Sequence, residues 1–515
     1  MLAFVRSAAI LGIDAYIVVV EVDSAAGLPA IATVGLAQSA VKEGKDRVLS
    51  ALQNSGFEMP PRRITVNLAP ADVKKEGSHF DLPIACGLLA ASGQLSTDSF
   101  QRYALAGELG LDGALRPIRG ALSMAQAVAQ SGLTGFIVPA ANLSEASVIE
   151  GLDVRGAGSL SDVVAFLSGG SELPAIHFDV AATLGRRAGA TLDLADVRGQ
   201  EHAKRALEIA AAGGHNILLV GPPGGGKTML ARRLPGILPR LNLAEAIEVT
   251  RVHSVAGQLA PDRGLVGQRP FRAPHHTISD AGLIGGGAVP RPGEASLAHH
   301  GVLFLDELTE FRRNVLEVLR QPLEDGEVTI SRASRSLTYP ARFVLAAAMN
   351  PCACGYRGDR RRPCRCTPAI VRRYRARVSG PLLDRIDLHI EVPPVTCPDL
   401  LAAGNGDTSE DVLARVESAR RIQQERFRVR ERVFANGQME ARDVRSFCRA
   451  DETAMSLLRA AMGRFNLSAR SFHKVLKIAR TIADLEASET VRAAHVGEAI
   501  QYRGLDRAVE SRPTT

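Results

Sequence analysis

The sequence predicts an α/β protein: a doubly wound parallel sheet in the middle of the chain, an α+β unit before it and helices after it. Three observations lead there. Short apolar stretches at Asn216 to Val220, Val302 to Leu305, Phe343 to Met349 and Leu388 to Val392 alternate with helix-patterned segments, the pattern of a parallel sheet. A glycine-rich loop joins the first of these strands to a helix-like run. Beyond about residue 400 the pattern is helical and rich in Arg and Glu.

The N-terminal segment, residues 1–168, mixes both periods. Tyr16 to Val22 is β-branched and reads as a strand, with a turn before it at Ile10 to Asp14. Val41, Val48, Leu49 and Leu52 share one side of a helix over Val41 to Gly56. Ile64 to Leu68 is another strand, and Leu82 to Ala91 a helix of small apolar residues. Residues 169–192 open on Gly-Gly-Ser, are weakly patterned, and read as a linker. Residues 193–400 then form the core around the glycine-rich loop, and 401–515 a helical domain.

Bulk numbers bound the classes. The 515 residues suggest roughly three domains. Hydrophobic residues make up 46% but aromatics only 4%, with no Trp, so the cores must be aliphatic. The net charge of +7 is too mild to identify a nucleic-acid partner, which leaves local clustering to decide. The apolar N-terminus is cut by Arg6, Gly12 and Asp14, unlike a signal peptide, and no apolar run approaches the ~20 residues of a bilayer span. A soluble cytoplasmic protein without a membrane partner is expected. Four of the seven cysteines crowd into one short segment, which is not a disulfide framework.

The loop Gly221, Pro222, Pro223, Gly224, Gly225, Gly226, Lys227, Thr228 fits G-x-x-x-x-G-K-[ST] in full, after a strand and before a helix. Its backbone N–H groups can surround phosphates, Lys227 can neutralise the β/γ charge and the Thr228 hydroxyl can coordinate Mg²⁺. ATP and Mg²⁺ are therefore expected. About 80 residues later the apolar run Val302 to Leu305 ends in Asp306 and Glu307. Asp306 suits the metal, and Glu307 suits orienting and deprotonating a water. Asn350 ends the next strand, where it can either hold that water or cap a helix.

Cys352, Cys354, Cys364 and Cys366 form two C-x-C pairs within the loop 350–367. Four thiolates so spaced can close a structural Zn²⁺ site, the alternative being a loop of reduced thiols. From Arg357 to Arg377 there are nine Arg and one Asp, a charge run that suits phosphate contacts or a solvated face. The histidine pairs 275/276 and 299/300 read as structural.

These features come with further segments: Val34-Gly-Leu, Phe80-Asp-Leu-Pro83, Gly107-Glu-Leu-Gly, Arg198-Gly-Gln-Glu, Phe271-Arg-Ala-Pro-His-His-Thr277, Asn350-Pro-Cys-Ala-Cys-Gly355 and Leu383-Asp-Arg-Ile-Asp387. Together they resemble the magnesium-chelatase-like AAA+ ATPases, in the YifB/ComM branch, over nearly the whole chain. The resemblance implies an AAA+ core with a helical lid and a homo-hexamer with ATP at subunit interfaces. It implies that Arg385 is an arginine finger and Arg470 a second sensor arginine; the residues alone favour a surface ion pair for the first and a helix-start arginine for the second, and the resemblance reverses that. Leu323 to Tyr339 resembles the pore hairpin of related helicases, with Arg332 and Arg335 at a DNA-gripping tip. The N-terminal unit resembles the Lon protease fold without its chemistry, since Ile84 and Leu122 stand where nucleophile and base would be. The implied activity is a DNA motor, a helicase or branch-migration factor acting on single-stranded or branched DNA during natural transformation. A chelatase-type or unfoldase ATPase acting on a protein partner is the alternative.

Overall fold

The computed structural model describes residues 1–515 except 37–38, 60, 186–191, 261–262, 288–289, 333–334, 360–361, 396–405, 431–432, 466–467 and 504–515. The chain folds into two compact units. The first comprises Met1–Arg186, Asn242–Gly267 and Ser331–Tyr339; the second comprises Arg187–Leu241, Gln268–Ile330 and Pro340–Thr515. The chain thus leaves the second unit twice and returns.

The first unit is built on a seven-stranded mixed sheet. Its order is Ala30–Val34, Arg63–Ala69, Asp14–Ala25, Leu2–Leu11, Tyr103–Leu105, Gly135–Pro139, Asp153–Ala157. The turn expected before Tyr16 is a tight hairpin that pairs Leu11 with Asp14 and aligns the two longest strands antiparallel. Alternation decides the core face: Ala3 and Val5 point inward with Val18, Val20 and Val22. The helix Asp81–Ala91 is buried along its length, so it has no polar face to offer. It packs close to the sheet because Gly87 lacks a side chain; a Cβ there would meet Val22 Cγ2 at 2.6 Å. The expected linker is partly structured, with Leu173 in this core and a short helix at Val180–Gly185.

The segment Asn242–Gly267 brings the helix Leu243–Ala256 onto Ala121–Gln130 in this unit. Ser254 Oγ accepts from Gly120 N (2.8 Å) and donates to Glu145 (2.5 Å), whose carboxylate also accepts from Leu122 N and Asn142 Nδ2. Ser254, Glu145 and Asn142, with Arg119 and Arg263, line a cavity of about 230 Å³.

The second unit holds a five-stranded sheet in the order Phe271–Arg272, Val302–Leu305, Val344–Met349, Ile217–Val220, Leu388–Glu391, all parallel. The four predicted strands are its four longest. The inner strands are buried on both faces, as helices on either side demand. Ile217 and Leu219 join one core and Leu218 and Val220 the other. The first of these cores continues through Val412 and Val416 to Val475 and Ile478, so the C-terminal helices Ser409–Arg426 and Ala469–Leu485 pack as part of this unit. Among the described residues no helix is long and apolar enough to cross a membrane.

Candidate nucleotide-binding site

Parallel strands release their chains at one edge, so residues at their carboxyl ends converge there. Ile217–Val220 ends in the glycine-rich loop, Val302–Leu305 in Asp306 and Glu307, and Val344–Met349 in Asn350. The register places Val220 beside Met349, and Gly221 N donates to Met349 O at 3.2 Å. Gly221 must be glycine, because a Cβ would lie 2.1 Å from Val392 O. Gly224 and Gly226 take φ of 76° and 87°, which turns the loop into the helix Lys227–Ala231.

The loop's side chains are already connected. Lys227 Nζ donates to Gly221 O (2.7 Å), Pro222 O (2.9 Å) and Asn350 Oδ1 (3.2 Å). Burial pulls its ammonium below the ordinary lysine range, and Asp306 and Glu307 partly offset this. Thr228 Oγ1 donates to Asp306 Oδ2 at 2.7 Å. A hydroxyl and a carboxylate oxygen at one point are the hard ligands Mg²⁺ prefers. They fit the ion and leave its remaining positions to phosphate and water.

Asp306 Oδ1 accepts from Glu307 N at 2.9 Å. Glu307 itself takes φ of 50°, uncommon for a residue with a side chain, and its carboxylate is exposed. His276 Nδ1 lies 3.4 Å from Glu307 Oε2. The sequence reading took this histidine as structural. Its neighbourhood to Glu307 is the main feature that reading missed, although the segment Phe271 to Thr277 that carries it stood out. Gln200, with φ of 62°, donates to Pro393 O (2.6 Å) and braces the same end of the sheet.

Arg385 makes no contact with Lys227, Asp306 or Glu307 among the described residues. It pairs with Glu324 and donates to Pro381 O at 2.5 Å. Arg470 is exposed, 3.9 Å from Asp384 Oδ2. Four residues on, Lys474 Nζ lies 3.1 Å from Asp387 Oδ1, and His215 Nδ1 lies 3.5 Å from Asp387 Oδ2. Burial alone would raise the Asp387 carboxyl, yet Lys474, His215 and Lys477 hold it well below the usual range. One face of Ala469–Leu485 is therefore clamped to the segment that carries Arg385.

Four thiols gather as the spacing predicts: Cys352, Cys354, Cys364 and Cys366 place their sulfurs within 4.8 Å of one another. Arg332 and Arg335 end the two strands of a hairpin, Glu327–Arg332 and Arg335–Pro340; their side chains and the tip 333–334 lie outside the described residues. In the first unit, Ile84 and Leu122 are buried and apolar, and the Ser78 hydroxyl meets Glu108.

Residues 193–400 match the family described as magnesium chelatase, subunit ChlI; residues 20–142 and 406–503 match its companion families, subunit ChlI of Mg-chelatase and the ChlI C-terminal region. The chain is 45% identical to protein YifB of Salmonella typhimurium, over 98% of both chains. It is 46% identical to competence protein ComM of Haemophilus influenzae, over 99% of both. The chain belongs to the YifB/ComM family. A more distant relative is the magnesium-chelatase 38 kDa subunit of Rhodobacter capsulatus, 27% identical over 58% of this chain and 82% of that one. As a YifB/ComM protein the chain is of the magnesium-chelatase-like AAA+ type, for which nucleotide and Mg²⁺ use is the family expectation.

Proposed function

We propose that the protein is an ATP-hydrolysing motor that assembles as a hexamer and moves single-stranded or branched DNA in recombination intermediates, as natural transformation requires. The observation that carries this is the convergence of Lys227, Thr228, Asp306 and Asn350 at one sheet edge, in a chain similar throughout to a competence protein. Lys227 compensates phosphate charge, Thr228 and Asp306 hold Mg²⁺, and Glu307 takes the proton of the attacking water. His276 orients Glu307, and Asn350 fixes Lys227 and the water. Arg385 serves the site of a neighbouring subunit, which accounts for its pairing with Glu324 and not with Asp306 or Glu307 of its own chain. Arg470, at the start of the lid helix, reports the nucleotide to the segment that bears Arg385. The N-terminal unit is an inactive Lon-like domain serving assembly or partner binding, and the motor works in the cytoplasm.

Six hairpins would present Arg332 and Arg335 to a strand in the pore. Their contacts with phosphates are salt-sensitive and blind to sequence. The decisive measurement is ATP hydrolysis with and without branched DNA, followed by unwinding with Arg332→Ala and Arg335→Ala combined. Stimulation by DNA, and its loss in the double variant with basal hydrolysis kept, is expected. A wild type that binds no DNA even at low salt refutes the DNA reading. The similarity to a chelatase subunit then favours a motor that remodels a protein partner.

A further inference from the structure

We infer that Cys352, Cys354, Cys364 and Cys366 hold one Zn²⁺ through their thiolates, and that this centre is a strut that sets the geometry of the phosphate loop. The inference rests on the reading of that loop as the ATP site. Three of the sulfur separations are 3.4, 3.6 and 3.6 Å, from Cys352 to Cys354, Cys352 to Cys364 and Cys354 to Cys364. A tetrahedral ion with Zn–S bonds of about 2.3 Å needs sulfurs about 3.8 Å apart, so the thiols require only a small adjustment. A disulfide needs about 2.0 Å, and none of the described cysteines forms one. The other two described cysteines, Cys86 and Cys448, are solitary and buried in separate cores.

Position gives the cluster its function. Cys352 is fully buried and lies two residues after Asn350, whose Oδ1 accepts from Lys227. Three residues further, Gly355 N donates to Cys352 O at 2.9 Å and closes a turn with φ of 85°. That turn lies against the phosphate loop: a Cβ on Gly355 would come 2.9 Å from Pro223 Cδ. The segment Asn350 to Gly355 therefore touches the loop twice, through Asn350 on Lys227 and through Gly355 on Pro223. The arginine-rich stretch around it has little apolar surface to order it, whereas a metal bound by four thiolates supplies folding energy outright. Losing the ion frees Cys352, and with it both contacts.

The test uses the full chain purified without chelator. Elemental analysis should give about one Zn²⁺ per chain, as four thiolate ligands imply. Stripping the metal from the wild-type protein should weaken binding of a fluorescent ATP analogue at least about tenfold. Returning Zn²⁺, but not Mg²⁺ alone, should restore it. Cys364→Ser with Cys366→Ser should abolish zinc binding and reproduce the stripped state, and the wild-type strip-and-reload cycle covers the case in which that variant fails to fold. Metal-free protein with four freely reacting thiols overturns the site. One bound zinc whose removal leaves analogue binding unchanged overturns the strut. Lys227→Ala separates the two readings: it should keep its zinc and lose turnover, and normal hydrolysis by it condemns the ATP-site reading while leaving the zinc stoichiometry to stand alone.

Discussion

The two units are both sheets flanked by helices, yet they treat polar residues in opposite ways. In the first, the buried carboxylates are consumed by the fold. Glu145 spends its oxygens on Leu122 N, Asn142 and Ser254, and Asp81 is paired with Arg47 at 3.0 Å. Ile84 and Leu122, at the positions where a resemblance to Lon-type proteases would put a nucleophile and a base, are buried and apolar. In the second unit, Lys227 meets Asn350 and Thr228 meets Asp306, beside the phosphate-loop carbonyls that also hold Lys227, at the open end of a sheet. Glu307 beside them is exposed in a strained backbone conformation. The contrast teaches that polar groups indicate chemistry where they gather at an open sheet edge with room left for a ligand, and structure where the fold closes over them.

The largest effects should fall in the second unit. Lys227→Ala should abolish turnover because nothing else in the loop compensates phosphate charge. Glu307→Gln should also stop hydrolysis, by about 10²–10⁴ for a lost general base, while ATP stays bound. Equilibrium binding beside steady-state hydrolysis distinguishes them. If Glu307→Gln turns over normally, its strained position is structural and the contrast between the units weakens.

Arg385→Ala tests whether the site is completed by a neighbour. An arginine finger contributes about 10³–10⁵ in rate. A mixture of Arg385→Ala and Lys227→Ala subunits should regain part of the activity that each lacks alone. A mixture that co-assembles and remains inactive means that Arg385, held by Glu324 and Pro381 O, acts only within its own chain.

Legibility differed between the units for a physical reason. The inner strands of the second unit are continuous apolar runs, one followed by the glycine-rich loop, one by Asp306 and Glu307 and one by Asn350. Parallel topology forces such runs, so Asp306 and Asn350 could be placed at strand ends, and Lys227 at the start of the helix after the loop, from the sequence alone. The His276–Glu307 neighbourhood was not legible, because it depends on how the loop after Phe271–Arg272 folds across the sheet edge. In the first unit the hairpin and the helix Asp81–Ala91 were legible from alternation and composition. The return of Asn242–Gly267 to this unit was not, since Ser254 meets Gly120 and Glu145 more than a hundred residues away. Nothing in the local pattern of a capped helix announces its distant partner.

A smaller effect should separate structural from chemical charge within the second unit itself. The Asp484 carboxylate accepts from Arg426 (2.7 Å), Arg480 (3.0 Å) and Asn436 (2.7 Å), and Arg480 is almost wholly buried. Asp484→Ala strands those cations and should cost about 3–5 kcal/mol. Thermal unfolding should register the loss, while hydrolysis per folded molecule at low temperature stays close to wild type. A loss of turnover without a loss of stability would assign this network to the chemistry of hydrolysis.

The smallest effect lies in the first unit and concerns pH. Burial pushes the His79 imidazole from 6.5 down to about 4. Burial also raises the Asp81 carboxyl from 3.8 to about 6, against the pull of Arg47. The two act in opposite directions. As pH falls from 6.5 to about 4, the unfolded chain takes up a proton on His79 that the folded unit refuses, so stability is lost. Between about 6 and 3.8 the folded unit protonates Asp81 before the unfolded chain does, so stability is gained as pH falls and lost as it rises. Over about pH 4–6 the two slopes nearly cancel, and the wild-type sheet should be almost indifferent to pH. His79→Asn removes one side of the balance. Relative to wild type, the variant should then gain about 2–3 kcal/mol on going from pH 6 to pH 4, two pH units at 1.36 kcal/mol each. Amide exchange in the strands Leu2–Leu11 and Asp14–Ala25 of the full chain, corrected for intrinsic rates, measures it. Protection that stays flat with pH in both proteins would mean that neither group is perturbed by burial, and that the first unit's interior polar residues sit closer to water than their packing implies.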